Sequence, residues 1–151
     1  GIAQALLANP QLIIVDEPTA GLDPEESNRF LNLLSEIGEN VIVILSTHIV
    51  EDVKNLCPKM AILADGEIIS QGNPTDLVKH IEGKIWTKII PKKDVDSYQK
   101  TYDVISIKLV SGETQIRVWS EQQPEIGFEP IVPNLEDYYF ATLYNHNNLK
   151  G

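Results

Sequence analysis

The chain has 151 residues and carries 12 Lys and Arg against 22 Asp and Glu, for a formal net charge of −10. Apolar residues make up 42% of it, enough to bury a core, so the composition excludes a disordered chain. The negative charge argues against a general nucleic-acid surface, and the single cysteine, Cys57, excludes an internal disulfide framework.

The first residues of the chain predict a helix that has no N-cap residue. Ile2 to Ala8 read as helix without a cap residue ahead of them, and Asn9-Pro10 ends the helix because a residue before proline leaves the helical region. The only methionine is Met60, so we expect the sequence to be cut from a longer chain. No stretch has the roughly 20 apolar residues of a bilayer span, and the opening residues do not predict a signal peptide.

The next residues alternate strand and helix, as in a parallel α/β sheet. Leu12–Val15 and Val41–Leu45 are continuous aliphatic runs, typical of strands buried on both faces. Between them, Asp23-Pro24 predicts a helix start with Asp as N-cap and Pro at the first helical position, and Gly38 is expected to close that helix. Strand, helix and strand with so short a crossover form a βαβ unit, which predicts two parallel, neighbouring strands.

The remaining segments predict short helices and antiparallel hairpins. Asp65-Gly66 is a strong hairpin signal between residues 60–64 and 67–70, and alternating runs around Ser111-Gly112-Glu113 predict a second hairpin. The other expected elements are helices at 49–56, 73–80 and 135–144 and a strand at 85–90. Because the pattern changes near residue 80, we expect an α/β domain at 1–80 and a small α+β extension at 81–151.

The ends of the two parallel strands hold the candidate catalytic side chains. Ligands of an open parallel sheet bind beyond the carboxyl ends of its strands, where this chain has Asp16-Glu17 and Ser46-Thr47-His48. One carboxylate can hold Mg²⁺, the other can deprotonate a water, and the imidazole can donate to a phosphate. Plain structural roles stay open: a turn cap for either carboxylate, a helix cap for Asp23 and a surface histidine for His48.

Four motifs resemble one family. The run Leu12 to Pro24, LIIVDEPTAGLDP, closely resembles the Walker B motif and D-loop of ATP-binding cassette (ABC) ATPases. Ser46-Thr47-His48 resembles their H-loop, Gln4–Pro10 resembles the helix after their signature motif, and Asp65–Pro74 resembles the hairpin and turn that close their nucleotide-binding domain. The motifs stand in the family's order and spacing over residues 1 to about 80. The resemblance implies part of an ABC-type P-loop NTPase fold, with a parallel sheet and helices.

The resemblance also implies a role for each candidate residue. Asp16 would hold Mg²⁺, mainly through water, and Glu17 would be the catalytic base that polarises the attacking water. His48 would contact the γ-phosphate of ATP, and Asp23, in the D-loop, would communicate across the nucleotide site of a dimer. The implied cofactors are ATP and Mg²⁺. The implied partners are a membrane-spanning permease subunit and a second nucleotide-binding domain, with no nucleic acid, at the cytoplasmic face of the cell membrane.

Several motifs of the family are absent from these 151 residues. They are the phosphate-binding Walker A loop, G-x-x-x-x-G-K-[ST], the adenine-stacking aromatic, the Q-loop and the signature motif. All of these lie, in the family, upstream of the position of Gly1. The resemblance therefore implies the carboxyl-terminal part of an ATPase subunit, inactive alone. Without the family's neighbouring strand, we expect an unpaired strand edge and exposed apolar side chains, which lead to self-association as a dimer or to an altered sheet.

Residues after about 80 resemble, more loosely, a carboxyl-terminal extension of some ABC ATPases, including drug- and antibiotic-export types. The shared segment is Leu135–Phe140, which a capped amphipathic helix explains equally well. The leading hypothesis is an ATP-hydrolysing subunit of an ABC transporter, with export favoured by the extension alone. The alternatives are a soluble ABC ATPase of translation or DNA repair and a non-enzymatic interaction module with a decayed cassette.

Overall fold

A computed structural model describes residues 1–151. The chain divides into two compact units, Gly1–Cys57 and Pro58–Gly151. None of its helices combines the length and the apolar content that a membrane crossing requires.

The first unit has the strand–helix–strand order that its sequence predicts. Its elements are α1 (Ile2–Leu7), β1 (Leu12–Asp16), α2 (Pro24–Gly38), β2 (Ile42–Ser46) and α3 (Val50–Leu56). Strands β1 and β2 pair in parallel from Leu12↔Ile42 to Asp16↔Ser46, so the βαβ prediction is confirmed. Helix α2 ends at Gly38 with Glu39 as its C-cap in a right-handed conformation, so the expected glycine cap is replaced by an ordinary helical turn.

Only one face of the β1–β2 pair is covered. Ile13 is 6% exposed, and helix α2, which packs against β2, contributes the buried Leu31 and Leu34. The opposite face carries four exposed aliphatic side chains at paired register positions: Leu12, Ile14, Ile42 and Ile44. The prediction that both strands are buried on both faces is therefore wrong for this chain, because no helix covers the second face. The expectation of exposed apolar side chains on these strands is confirmed.

The second unit begins with a hairpin and a capped helix. Strands β3 (Met60–Ala64) and β4 (Glu67–Gly72) pair antiparallel around Asp65 and Gly66. Both turn residues have positive φ, 51° and 79°, as a two-residue hairpin turn of type I′ requires. Helix α4 (Pro74–Lys79) follows, and the Asn73 side chain accepts bonds from the first free backbone N–H groups.

A four-stranded antiparallel sheet forms the rest of this unit. The further elements are β5 (Ile85–Ile90), a short 3₁₀ turn (Lys92–Asp94), α5 (Val95–Thr101), β6 (Asp103–Val110), β7 (Glu113–Trp119), β8 (Glu129–Pro130) and α6 (Leu135–Leu149). The strands lie in the order β6-β7-β5-β8. One core holds Ile116, Val118 and Phe128 with residues of α5, and a second holds Ile85 and Ile105 with residues of α6.

These elements confirm the predicted α/β class with an antiparallel extension, and they add detail. Helix α5 and strand β8 were not predicted, and α6 runs five residues past the expected end at Tyr144. The compact units meet at Cys57/Pro58 rather than near residue 80, since β4 and α4 pack with α6, where the Ser70 and Tyr138 hydroxyls lie 2.8 Å apart. A domain boundary near residue 80 stays a prediction, because compact units and regions shared within a family need not coincide.

Candidate active site

The carboxyl ends of β1 and β2 meet in register. Asp16 is the partner of Ser46 in the parallel pair, and the Ser46 hydroxyl donates a short hydrogen bond to Asp16 Oδ1. The Asp16 side chain is exposed, and its Oδ2 takes no hydrogen bond from the chain. The edge therefore presents one free carboxylate oxygen to solvent.

Glu17 and His48 lie side by side just beyond these strand ends. The Glu17 backbone N–H donates to the Ser46 carbonyl at 2.7 Å, which continues the strand pairing by one residue. The His48 backbone N–H donates to Glu17 Oε1 at 3.1 Å, and His48 Nδ1 lies 2.9 Å from Glu17 Oε2. Oε2 is buried and accepts no hydrogen bond. The ring contact is thus close but poorly aligned, and it is an ion pair only when His48 is protonated.

The backbone at Glu17 is strained. Its φ is 46°, in the left-handed region that side chains other than Gly, Asn and Asp seldom occupy, and Pro18 follows it. Such a conformation costs about 1–3 kcal/mol and persists only where the surrounding structure holds it. Strain of this kind is common at functional sites, so the observation supports Glu17 as a functional candidate.

Asp23 lies apart from this group. It caps helix α2, with its Oδ1 accepting from the Glu26 backbone N–H at 2.8 Å, and Glu26 Oε2 in turn accepts from the Asp23 backbone N–H at 3.5 Å. No hydrogen bond or ion pair joins Asp23 to Asp16, Glu17 or His48. The structure therefore accounts for Asp23 as a helix cap, and its role at a nucleotide site stays a prediction.

The carboxyl ends of β1 and β2 suit a magnesium ion better than a metal ion whose ligands all come from the protein. No group of three or more His, Cys, Asp or Glu side chains is arranged around a common point. Mg²⁺ needs only one or two carboxylates, since it keeps waters and takes oxygens from substrate phosphates. The free, exposed oxygen of Asp16, oriented by Ser46, suits that requirement.

A buried polar pair that sequence reasoning missed lies beside this edge. Thr19 and Asp52 are 4% and 8% exposed, and the Thr19 hydroxyl donates to Asp52 Oδ2 at 2.5 Å. The available signal was helical spacing, because Asp52 lies four residues before the apolar Leu56 on one face of α3. An acidic residue within an apolar stripe needs a partner when it is buried.

Asp52 also affects the only cysteine. Partial burial, and next the negative charge of Asp52, raise the pKa of the Cys57 thiol. The thiol therefore stays protonated and unreactive at neutral pH, as expected for a cysteine used in packing.

The chain is similar to known ATP-binding proteins. It is 32% identical over 148 residues to "Nod factor export ATP-binding protein I" of Rhizobium etli, a match that covers 91% of this chain and 47% of that protein. It is 40% identical over 74 residues to "Methionine import ATP-binding protein MetN" of Protochlamydia amoebophila, covering 48% of this chain and 22% of that protein. The chain spans about half the length of the first of these relatives and less of the second.

Among solved structures, cbiO1 from Clostridium perfringens, part of the ABC transporter complex cbiONQ, is 32% identical with a TM-score of 0.47. The match covers 53% of this chain and 35% of that one. No protein-family model matches the chain.

Proposed function

We propose a function from the premise that this chain belongs to the ABC transporter ATP-binding proteins and matches their carboxyl-terminal part. The chain supplies the hydrolytic edge of an ATP-hydrolysing subunit. The observation that supports this most is the parallel register of β1 and β2, which sets Asp16 and Glu17 beside the segment that ends in His48.

Asp16 is the proposed Mg²⁺ ligand, acting mainly through water. Its free oxygen and its exposure suit an ion that retains much of its hydration. When bound, Mg²⁺ stabilises the negative charge that develops on the phosphate oxygens. Ser46 keeps the carboxylate in place by donating to its other oxygen.

Glu17 is the proposed catalytic base. Its carboxylate accepts the proton of the attacking water as the water oxygen bonds to the γ-phosphorus and the bond to the ADP oxygen breaks. His48 is the proposed phosphate contact, since its exposed ring can donate to a γ-phosphate oxygen while its backbone N–H holds Glu17. The two residues together deliver a base and a hydrogen-bond donor to one substrate.

Asp23, a second nucleotide-binding domain and a membrane-spanning permease belong to the same proposal. The exposure of Asp23 at the start of α2 suits a contact across a dimer. A subunit of this kind works at the cytoplasmic face of a membrane, bound to its permease. These assignments follow from family membership, and a pull-down of the permease and a second cassette with the full-length subunit tests them.

Export is the proposed direction of transport. The match to the Nod factor export protein extends over 148 residues, well past residue 80, and so includes the extension. The methionine import proteins match over shorter stretches, from 74 to 111 residues. Assay of the full-length subunit with its permease in sealed vesicles tests the direction, because an exporter accumulates substrate on the side opposite to ATP.

The 151-residue chain alone is proposed to be inactive. It has no Walker A loop to bind phosphates through backbone amides and a Lys, so Asp16 and Glu17 have no anchored substrate. If the isolated chain releases phosphate from ATP and Glu17→Gln abolishes this release, the proposal is overturned.

The test of the function uses the full-length subunit that contains these residues. We expect Glu17→Gln to lower kcat for phosphate release by about 10²–10⁴-fold, the usual contribution of a general base. Glu25→Gln is the matched control, since Glu25 is exposed and its ion pair is with the exposed Arg29. A Glu17→Gln variant as fast as the Glu25→Gln control would contradict the proposal and favour the non-enzymatic interaction module.

A further inference from the structure

The Thr19–Asp52 pair joins the two segments that carry the proposed catalytic groups. Thr19 lies in the turn that starts at Glu17, where the Ala20 backbone N–H donates to the Glu17 carbonyl at 3.2 Å. Asp52 lies in the first turn of α3, which begins two residues after His48. The hydrogen bond of 2.5 Å therefore links positions 33 residues apart in the chain.

The Thr19–Asp52 bond and a backbone hydrogen bond join the two segments on either side of the Glu17–His48 contact. On one side of their contact, the Glu17 backbone N–H donates to the Ser46 carbonyl at 2.7 Å. On the other side, Thr19 donates to Asp52. The two segments are thus tied together before and after the Glu17–His48 contact, and neither can shift along the other without breaking one tie.

The strained backbone of Glu17 needs such a tie. Glu17 has a φ of 46° and precedes a proline, which pushes the preceding residue toward extended conformations. A residue in this region relaxes unless its neighbours hold it. The strand pairing holds its amino-terminal side, and the buried Thr19 holds the turn on its carboxyl side.

The stability that a single Thr19–Asp52 hydrogen bond adds to the fold is modest. Burial of a carboxylate is costly, and the Thr19 hydroxyl and the place of Asp52 in the first turn of α3 offset that cost in part. Apolar side chains of similar shape, Val for Thr19 and Leu for Asp52, fill the same space at little or no cost to the stability of the fold. The polar pair is therefore explained better by a need to hold the segments of Glu17 and His48 in position.

We propose, on the basis of the function proposed above, that Thr19 and Asp52 are positioning residues that hold Glu17 against His48 in the geometry for ATP hydrolysis. The pair acts through the turn and through α3, and neither residue touches the substrate. Its loss leaves the fold and ATP binding in place and lowers the rate of the chemical step.

The test compares stability with turnover in the full-length subunit. The double variant Thr19→Val/Asp52→Leu is expected to unfold at the same denaturant concentration as wild type. Its kcat is expected to fall by about 10- to 100-fold, the effect of a misplacement of around 1 Å, with little change in KM for ATP. Thr19→Ser and Asp52→Asn keep a donor and an acceptor, so each is expected to retain most of the wild-type kcat.

Glu51→Gln is the matched control on the same helix. Glu51 is exposed and forms an ion pair with the exposed Lys54, at 3.4 Å, so this variant is expected to have wild-type kcat. A double variant with wild-type kcat overturns the proposal, and so does a fall in kcat no larger than the loss of folded protein. If the double variant does not fold, Thr19→Ala is compared with Thr19→Ser, and equal kcat values overturn the proposal.

Failure of the inference is distinguishable from failure of the proposed function. If Glu17→Gln is slow while the variants of Thr19 and Asp52 turn over at the wild-type rate, only the positioning role is overturned. If Glu17→Gln itself has wild-type kcat, the proposed function fails and the positioning role fails with it.

Discussion

Single residues at the start of α6 show how a sequence motif can have a structural explanation. Asp137 is 1% exposed, and Arg117 Nη1 donates to its Oδ1 at 2.6 Å. Its Oδ2 accepts from the Asn134 backbone N–H at 2.9 Å, and its own N–H donates to Asn134 Oδ1 at 2.9 Å. The Leu-Glu-Asp segment that resembles the export-type extension is therefore also a capping box with a buried ion pair.

Removal of this carboxylate is expected to destabilise the second unit strongly. Asp137→Ala leaves the partly buried Arg117 without its partner and opens the cap of α6, so we expect a loss of about 3–5 kcal/mol in the free energy of unfolding. Denaturant unfolding followed by tryptophan fluorescence measures it, since both tryptophans, Trp86 and Trp119, lie in this unit. The control Glu136→Ala removes a half-exposed pair with Lys108, and equal losses in the two variants would contradict the account.

At the scale of elements, local turn chemistry explains what the sequence could predict. Asp23-Pro24 begins a helix, and Asp65-Gly66 and Ser111-Gly112 form the turns of two hairpins. Each depends on contacts within a few residues, and all three predictions are confirmed.

The elements that the sequence did not predict depend on distant contacts or on few apolar residues. Helix α5 was missed because only Val95 and Tyr98 of its residues face the core. Strand β8 was missed because its two residues pair only with the distant Trp86 and Thr87. Asp16, Glu17 and His48 followed from strand ends, whereas the Thr19–Asp52 bond depends on a contact no local pattern encodes.

The segment before β8 is tied to the sheet by a charged cluster of four side chains. Lys88 Nζ donates to Glu125 Oε1 at 2.5 Å and to Tyr98 Oη at 2.9 Å, and the Tyr102 hydroxyl donates to Glu125 Oε2 at 2.8 Å. The hydrogen bond from Lys88, followed by those from Tyr102 and Tyr98, lowers the pKa of Glu125 below its usual value. The hydrogen bond to Glu125 likewise raises the pKa of Lys88.

This cluster predicts a loss of stability in acid. Because the pKa of Glu125 is lower in the folded than in the unfolded chain, its contribution is present above the unfolded pKa and is lost as pH falls through the folded pKa. We expect Glu125→Gln to reduce the acid-side decline in the unfolding midpoint, as measured by tryptophan fluorescence across that range. Glu129→Gln is the control, because Glu129 lies in β8, is exposed and forms no ion pair. A Glu125→Gln profile that overlays wild type would contradict the role of the cluster.

At the scale of the whole molecule, the exposed aliphatic face of β1 and β2 is expected to favour association. Ile14 and Ile44 face the same side at paired positions and are 72% and 52% exposed. Apolar side chains grouped on a two-stranded sheet, whose outer edges are unpaired, favour contact with further chains.

The 151-residue chain is therefore expected to self-associate. Sedimentation or light scattering over micromolar concentrations should show a mass that rises with concentration, and Ile14→Lys/Ile44→Lys should abolish the rise because it places charge on that face. Ile126→Lys is the control, since Ile126 is 94% exposed and lies in the second unit. A wild-type chain that stays monomeric over this range would contradict the expectation.

We propose that Glu17 and His48 act together on ATP at the edge formed by β1 and β2. Phosphate release by the full-length subunit with Glu17→Gln, His48→Ala and both exchanges tests it most directly. If the two groups serve one chemical step, the double variant is no slower than the slower single variant, because residues that act as a unit are strongly non-additive. Wild-type turnover in either single variant, or a double variant slowed by the product of the two effects, would contradict the claim.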